Sequence, residues 1–121
     1  DWDVTNETAV NRSFTDKLGP QELASWYKAA HRIDPNVKLT FNEIRFGPGG
    51  MELGSFPQKL LSEKCHGWID YLIQNNARLD YLGSQCHRGK VTSSFNGKTG
   101  PEALWDYFDY LMKRYKKLKN H

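Results

Sequence analysis

Asp1-Trp2-Asp3-Val4-Thr5-Asn6-Glu7-Thr8 is the stretch whose reading decides the fold. Apolar Trp2 and Val4 alternate with polar neighbours, which is the period of a strand. The amide of Asn6 and the carboxylate of Glu7 follow where the run turns polar. A buried strand delivers a carboxyl group to a site in this way, because strand interiors fill a core while strand ends carry chemistry.

Outward from that strand, Thr8 to Leu18 is polar and reads as a loop. Gly19-Pro20 then starts a helix, with proline in the first turn where its missing N–H costs nothing. Leu23, Trp26, Tyr27, Ala30 and Ile33 recur at helical spacing, and Asp34-Pro35-Asn36 ends the helix because the residue before proline avoids the α region. Val37 to Asn42 alternates as a second strand and runs into Glu43. A glycine-rich loop follows (Gly47-Pro48-Gly49-Gly50, then Gly54). No Lys-Ser/Thr pair follows those glycines, so they read as a long loop at the functional end of the sheet and not as a phosphate cradle. A helix is expected from about Pro57 to Asn76 with Leu61, Cys65, Trp68 and Leu72 on its apolar face, and a third strand from Leu79 to Gln85. Arg88 to Gly100 reads as a polar loop, and Pro101 opens a last helix with a Leu104, Phe108, Leu111 and Tyr115 stripe.

Strand followed by helix, three times over, predicts an α/β fold with parallel strands and crossover helices. Parallel strands place all their C-terminal ends on one side of the sheet. Three polar clusters, Asn6-Glu7, Asn42-Glu43, and Gln85 with His87, are therefore expected on one rim.

Composition narrows the classes. The chain has 121 residues with four Trp, six Tyr and six Phe, so disorder is excluded by composition. No apolar run approaches the roughly 18 residues of a membrane span. The net charge of +3 is concentrated in Lys113, Arg114, Lys116, Lys117 and Lys119. Those cations end a helix, where they complement its dipole, and no base-stacking module accompanies them, which argues against nucleic acid. The two cysteines, Cys65 and Cys86, fit one disulfide or two thiols. Neither has the paired spacing of a zinc site, although each precedes a histidine, and neither a metal nor any other cofactor is expected. No nucleophile elbow supports Ser-His-Asp chemistry. Asn6-Glu7-Thr8 and Asn11-Arg12-Ser13 are glycosylation sequons. A glycan on Asn6 would block Glu7, so Asn11 is the preferred acceptor.

Trp2-Asp3-Val4-Thr5-Asn6-Glu7 resembles the end of the fourth barrel strand in family 10 glycoside hydrolases, the retaining endo-β-1,4-xylanases, with Thr5 in place of a usual valine. Lys38 to Asn42 resembles the fifth strand, with Glu43 replacing an aspartate, and Tyr81 to His87 resembles the sixth, with Cys86 replacing a glycine. Lys17-Leu18-Gly19 and Ala30 to Pro35 also look like the family's text. The resemblance implies that residues 1–121 are three consecutive strand–helix units of a (β/α)8 TIM barrel, which takes about 250 residues when complete. It implies Glu7 as general acid/base, Asn6 bonded to a sugar 2-OH, and Asn42, Gln85 and His87 lining the substrate-binding rim. In such a barrel Cys65 and Cys86 would share a rim and could be bridged.

The family's nucleophile is a glutamate on the strand after this chain's last helix, beyond His121; the motif does not assign that role to Glu43. The expected partners are thus a xylan-like polysaccharide and the remaining barrel segments or companion chains, in a secreted, extracellular setting. The alternative is a non-catalytic relative with a structural or carbohydrate-binding role, motivated by the departures at Thr5, Glu43 and Cys86. Two plainer readings stay open, Glu7 as a surface strand-end residue and His87 as a satisfied core histidine.

Overall fold

The computed structural model describes residues 1–43, 58–85 and 94–116. Three strands, β1 (Trp2–Asn6), β2 (Leu39–Glu43) and β3 (Tyr81–Ser84), form a parallel sheet in sequence order. Helices α1 (Ser13–Leu18) and α2 (Pro20–Ile33) connect the first two strands, and α3 (Gln58–Gln74) lies between β2 and β3. A hairpin, β4 (Ser94–Phe95) and β5 (Lys98–Thr99), precedes α4 (Gly100–Arg114). The α/β class and the parallel order agree with the sequence reading.

Leu39, Phe41 and Glu43 point to the helix side of β2, and the first two join a core with Leu23 and Tyr27 of α2 and Ile69 and Leu72 of α3. Thr40 and Asn42 alternate onto the opposite face. Strand β1 departs from simple alternation, because Asp3 pairs with Thr40 and Thr5 with Phe41, leaving Val4 as a bulged residue. The bulge re-aims the side chains that follow, and Trp2 on this edge strand is 47% exposed where a buried strand was expected.

The starts of β2 and β3 are held by one carboxylate. Asp80 is buried; its Oδ2 accepts the Leu39 N–H at 3.0 Å, and its own N–H donates to the Leu39 carbonyl at 2.9 Å. Arg78 pairs with Asp80 at 2.9 Å and donates to the Pro35 carbonyl at 2.6 Å, which adds the end of α2 to the clamp. Helix α3 ends in a Schellman turn: Asn76 adopts φ 54°, and the Ala77 N–H reaches back to the Leu72 carbonyl at 2.9 Å.

Two loops of the sequence reading contain structure. Helix α1 lies within Thr8–Leu18; it is short, lacks a side-chain cap, and leaves Phe14 and Leu18 exposed, so neither a cap nor an apolar stripe signalled it. Within Arg88–Gly100, Asn96 and Gly97 take φ 51° and 74°, the left-handed pair that closes a two-residue hairpin. The apolar stripes also turn. Ile33 is 74% exposed because the core reaches only to Ala30, and on α3 Ile69 is fully buried while Trp68 is half-buried. On α4 the buried row is Ala103, Tyr107, Leu111 and Tyr115, with Phe108 half-buried. The side chain of Leu61 and the glycine-rich loop lie outside the described residues. No described helix is long and apolar enough to cross a membrane.

His66 explains the rotation of α4. Its Nδ1 meets the Tyr115 hydroxyl at 2.6 Å and its Nε2 the Tyr107 hydroxyl at 3.4 Å, while the Tyr115 ring stacks on the imidazole at 5.7 Å. Arg114 ties the same two helices through Asp70 at 2.8 Å. Burial lowers the His66 pKa, nearby Arg114 lowers it further, and Asp70 opposes both. A histidine of lowered pKa binds fewer protons folded than unfolded, so stability falls as pH drops below about 6.5 and levels off beneath the depressed native value. Denaturant titrations should show the stability of the wild type relative to His66→Phe declining from pH 7 to pH 5. A flat or rising difference would contradict the interface as described.

Candidate functional site

The pairing register brings the three strand ends level. Asn6 pairs with Asn42, and Asn42 with Gly83. Across that row Asn42 Nδ2 donates to Asn6 Oδ1 at 3.0 Å, and Gln85 Nε2 donates to the same oxygen at 2.8 Å. Asn42 Nδ2 also lies 3.4 Å from Asp3 Oδ2. Of the residues expected to converge, Asn6, Asn42 and Gln85 do so and form a ladder of amides over the C-terminal ends of all three strands, whereas Glu43 is buried away from them and His87 lies outside the described residues. Two donors saturate Asn6 Oδ1, so Asn6 presents Nδ2 as a donor to anything seated on the rim.

Gly83 makes the ladder possible. A Cβ built there would stand 2.5 Å from Asn42 Oδ1 and 3.2 Å from the Thr40 methyl group. Only a residue without a side chain lets the Asn42 amide lie flat across β3.

Glu7 leaves the sheet directly beside this ladder. It is half-buried and has φ 57°, a left-handed conformation uncommon outside glycine. Its N–H still bonds the Asn42 carbonyl at 2.9 Å, and its own carbonyl accepts the N–H groups of Val10 at 3.1 Å and Asn11 at 2.7 Å. The chain turns sharply here, at the end of β1.

The second carboxyl group has a different environment. Glu43 is 0% exposed, its Oε1 accepts the Ala9 N–H at 3.0 Å, and Oε2 has no partner among the described residues. Burial raises its pKa to about 7 against the lowering pull of the Ala9 and Thr8 backbone, and the Glu7 carboxylate adds to the rise. Glu43, expected on the rim beside Asn42, is instead enclosed on the helix side of β2.

Thr5 also has a structural explanation. Buried Tyr27 donates its hydroxyl to the Thr40 carbonyl at 3.0 Å, which leaves it as acceptor for Thr5 Oγ1 at 3.0 Å. A valine could not make that bond, and sequence reading had no means of pairing residues on β1 and α2.

Beside the ladder, a cleft of about 310 Å³ is lined by Asn6, Thr8, Asn11, Phe14 and Trp26 among others, with the Phe14 and Trp26 rings edge to face at 6.1 Å. Asn11 is exposed here, whereas Asn6 is engaged in the ladder and the Thr8 of its sequon is buried. His87 and Cys86 lie outside the described residues, and with Cys86 the expected bridge to Cys65, whose own side chain is fully buried. No group of three His, Cys, Asp or Glu side chains suited to a metal occurs among the described residues.

The chain is 32% identical over 92 residues to Endo-1,4-beta-xylanase 5 of Pyricularia oryzae, and matches the protein of the same name from Pyricularia grisea equally. The match covers 71% of this chain but only 20% of each relative, so the chain spans about a fifth of their length. No family model matches, and no solved structure does so significantly. Over these residues the chain is xylanase-like, a distant relative of glycoside hydrolases.

Replacing Gly83 with alanine should force Asn42 out of the ladder and destabilise the protein by about 1–3 kcal/mol, as overpacking does. Urea denaturation reads this directly. An unchanged midpoint would mean that Asn42 is not seated against β3.

Proposed function

We propose that this chain is a segment of a retaining glycoside hydrolase of the family 10 type, acting on a β-1,4-linked polysaccharide such as xylan. In this reading β1, β2 and β3 are three consecutive strands of a (β/α)8 barrel, and the rest of the barrel comes from further segments of a longer polypeptide or from companion chains. The observation that carries the proposal is the amide ladder of Asn6, Asn42 and Gln85 beside Glu7 at the ends of three parallel strands. The likeness to xylanases about five times longer supports it. So does the exposure of Trp2 on β1 and Tyr81 on β3, the outer strands of the sheet among the described residues.

Glu7 is the general acid/base. It protonates the departing glycosidic oxygen, then takes a proton from the water that releases the glycosyl intermediate. Asn6 donates Nδ2 to the hydroxyl next to the reacting carbon, and Gln85 and Asn42 hold that amide in orientation. The family resemblance implies that His87 contributes to the same subsite. The nucleophile, a second carboxylate about 5–5.5 Å from Glu7, belongs to another segment of the barrel. Action on an extracellular polysaccharide fits a secreted protein, with Asn11 as its glycan acceptor and Cys65 and Cys86 as its disulfide.

In the full-length natural polypeptide, Glu7→Gln should lower kcat on xylan by about 10²–10⁴-fold, the usual worth of a general acid/base, with the circular dichroism spectrum unchanged. Undiminished turnover would reject the assignment. Absence of turnover in the wild type would favour a carbohydrate-binding or structural role instead.

A further inference from the structure

We propose that Glu43 is a positioning residue for Glu7: its enclosed carboxyl group grips the turn after β1 through the Ala9 N–H and so sets where the Glu7 carboxylate stands over the rim. The inference rests on the acid/base reading of Glu7. Its geometry comes from the hydrogen bonds of the turn. The Glu7 N–H is held by the Asn42 carbonyl, and the N–H groups of Val10 and Asn11 turn back onto the Glu7 carbonyl. Ala9, 1% exposed, has its N–H satisfied by Glu43 Oε1 at 3.0 Å, and the Thr8 backbone bears on the same carboxyl group, so Glu43 fastens the middle of the turn to β2. Removing it leaves a buried donor without an acceptor. A glutamate at φ 57° is held only where its surroundings enforce it, and Glu43 reaches that turn from the next strand.

The grip depends on reach and on an acceptor, not on charge. Glutamine keeps the accepting oxygen at the same length, whereas aspartate withdraws it by one methylene. The groups that face Glu43 electrostatically are Glu7 from the turn and the Tyr27 phenol from α2; β3 contributes no charged group among the described residues. Burial and the Glu7 carboxylate disfavour its ionisation, whereas the phenol stays neutral over this range and is itself pushed up by burial and by Glu43. A carboxyl group with folded pKa raised from 4.5 to about 7 holds a proton that the unfolded chain has released. Its contribution to stability is therefore full below pH 4.5, declines as pH rises, and is lost above pH 7.

The test is a pair of variants, Glu43→Gln and Glu43→Asp, in the full-length natural polypeptide, followed by hydrogen exchange at the Ala9 amide and by kinetics on xylan. Glu43→Gln should keep Ala9 protected and keep most of kcat. Glu43→Asp should expose the Ala9 amide to exchange and lower kcat by about 10²-fold, the effect of an ångström-scale misplacement, with KM nearly unchanged. Relative to Glu43→Gln, wild-type stability should fall between pH 4.5 and pH 7. Continued protection of Ala9 in Glu43→Asp would overturn the proposal, as would equal loss of KM and kcat in both variants. If the wild type has no glycosidase activity, the reading of Glu7 fails, and Ala9 exchange alone still decides whether Glu43 holds the turn.

Discussion

Strand β2 lies between β1 and β3 with its register pinned at both ends, and the site depends on that register. At the start of the strand Asp80 brackets Leu39, accepting its N–H through the side chain and donating the backbone N–H to its carbonyl. At the far end Asn42 lies flat between Asn6 and the bare backbone of Gly83. A slip of one residue would turn Leu39 and Phe41 out of the core and carry Asn42 into it. Apolar burial and the amide ladder therefore select the same alignment, and that alignment brings Asn6, Asn42 and Gln85 together.

Two carboxyl groups leave the ends of neighbouring strands into opposite surroundings. Glu7 emerges half-buried through a left-handed turn, while Glu43 points to the helix side and is sealed from water. Environment, not residue type, separates such a pair into a half-buried group and an enclosed one. The bond from Tyr27 to Thr40 and Thr5 then anchors α2 across both strands beneath the rim.

Further from the rim, polar groups within apolar packing decide helix orientation. His66 lies between the hydroxyls of Tyr107 and Tyr115, and the pull of those two bonds brings the tyrosine row of α4 inward. Phe95 of the hairpin packs edge-on to Tyr107 at 5.4 Å, which couples the short β4–β5 ribbon to the same helix. The ribbon is too short to be stable by itself, and α4 supplies its support.

The sequence by itself determined the alternation of strands and helices, because period-two and helical spacings are local and Pro20 and Pro35 punctuate them unambiguously. It also determined that Asn6, Asn42 and Gln85 would meet, since parallel strands carry their ends to one side whatever fills the core. Only the tertiary structure decided the bulge at Val4, the partner of Thr5, the inward turn of Tyr107 and the seclusion of Glu43. Each of these rests on a contact between residues distant in the chain, such as Thr5 with Tyr27 or Ala9 with Glu43. Local periodicity carries no record of such contacts. Asn42-Glu43 reads as two adjacent polar residues at a strand end, and the pleat that sends one to the rim and the other into the core gains its meaning only when the helices cover one face.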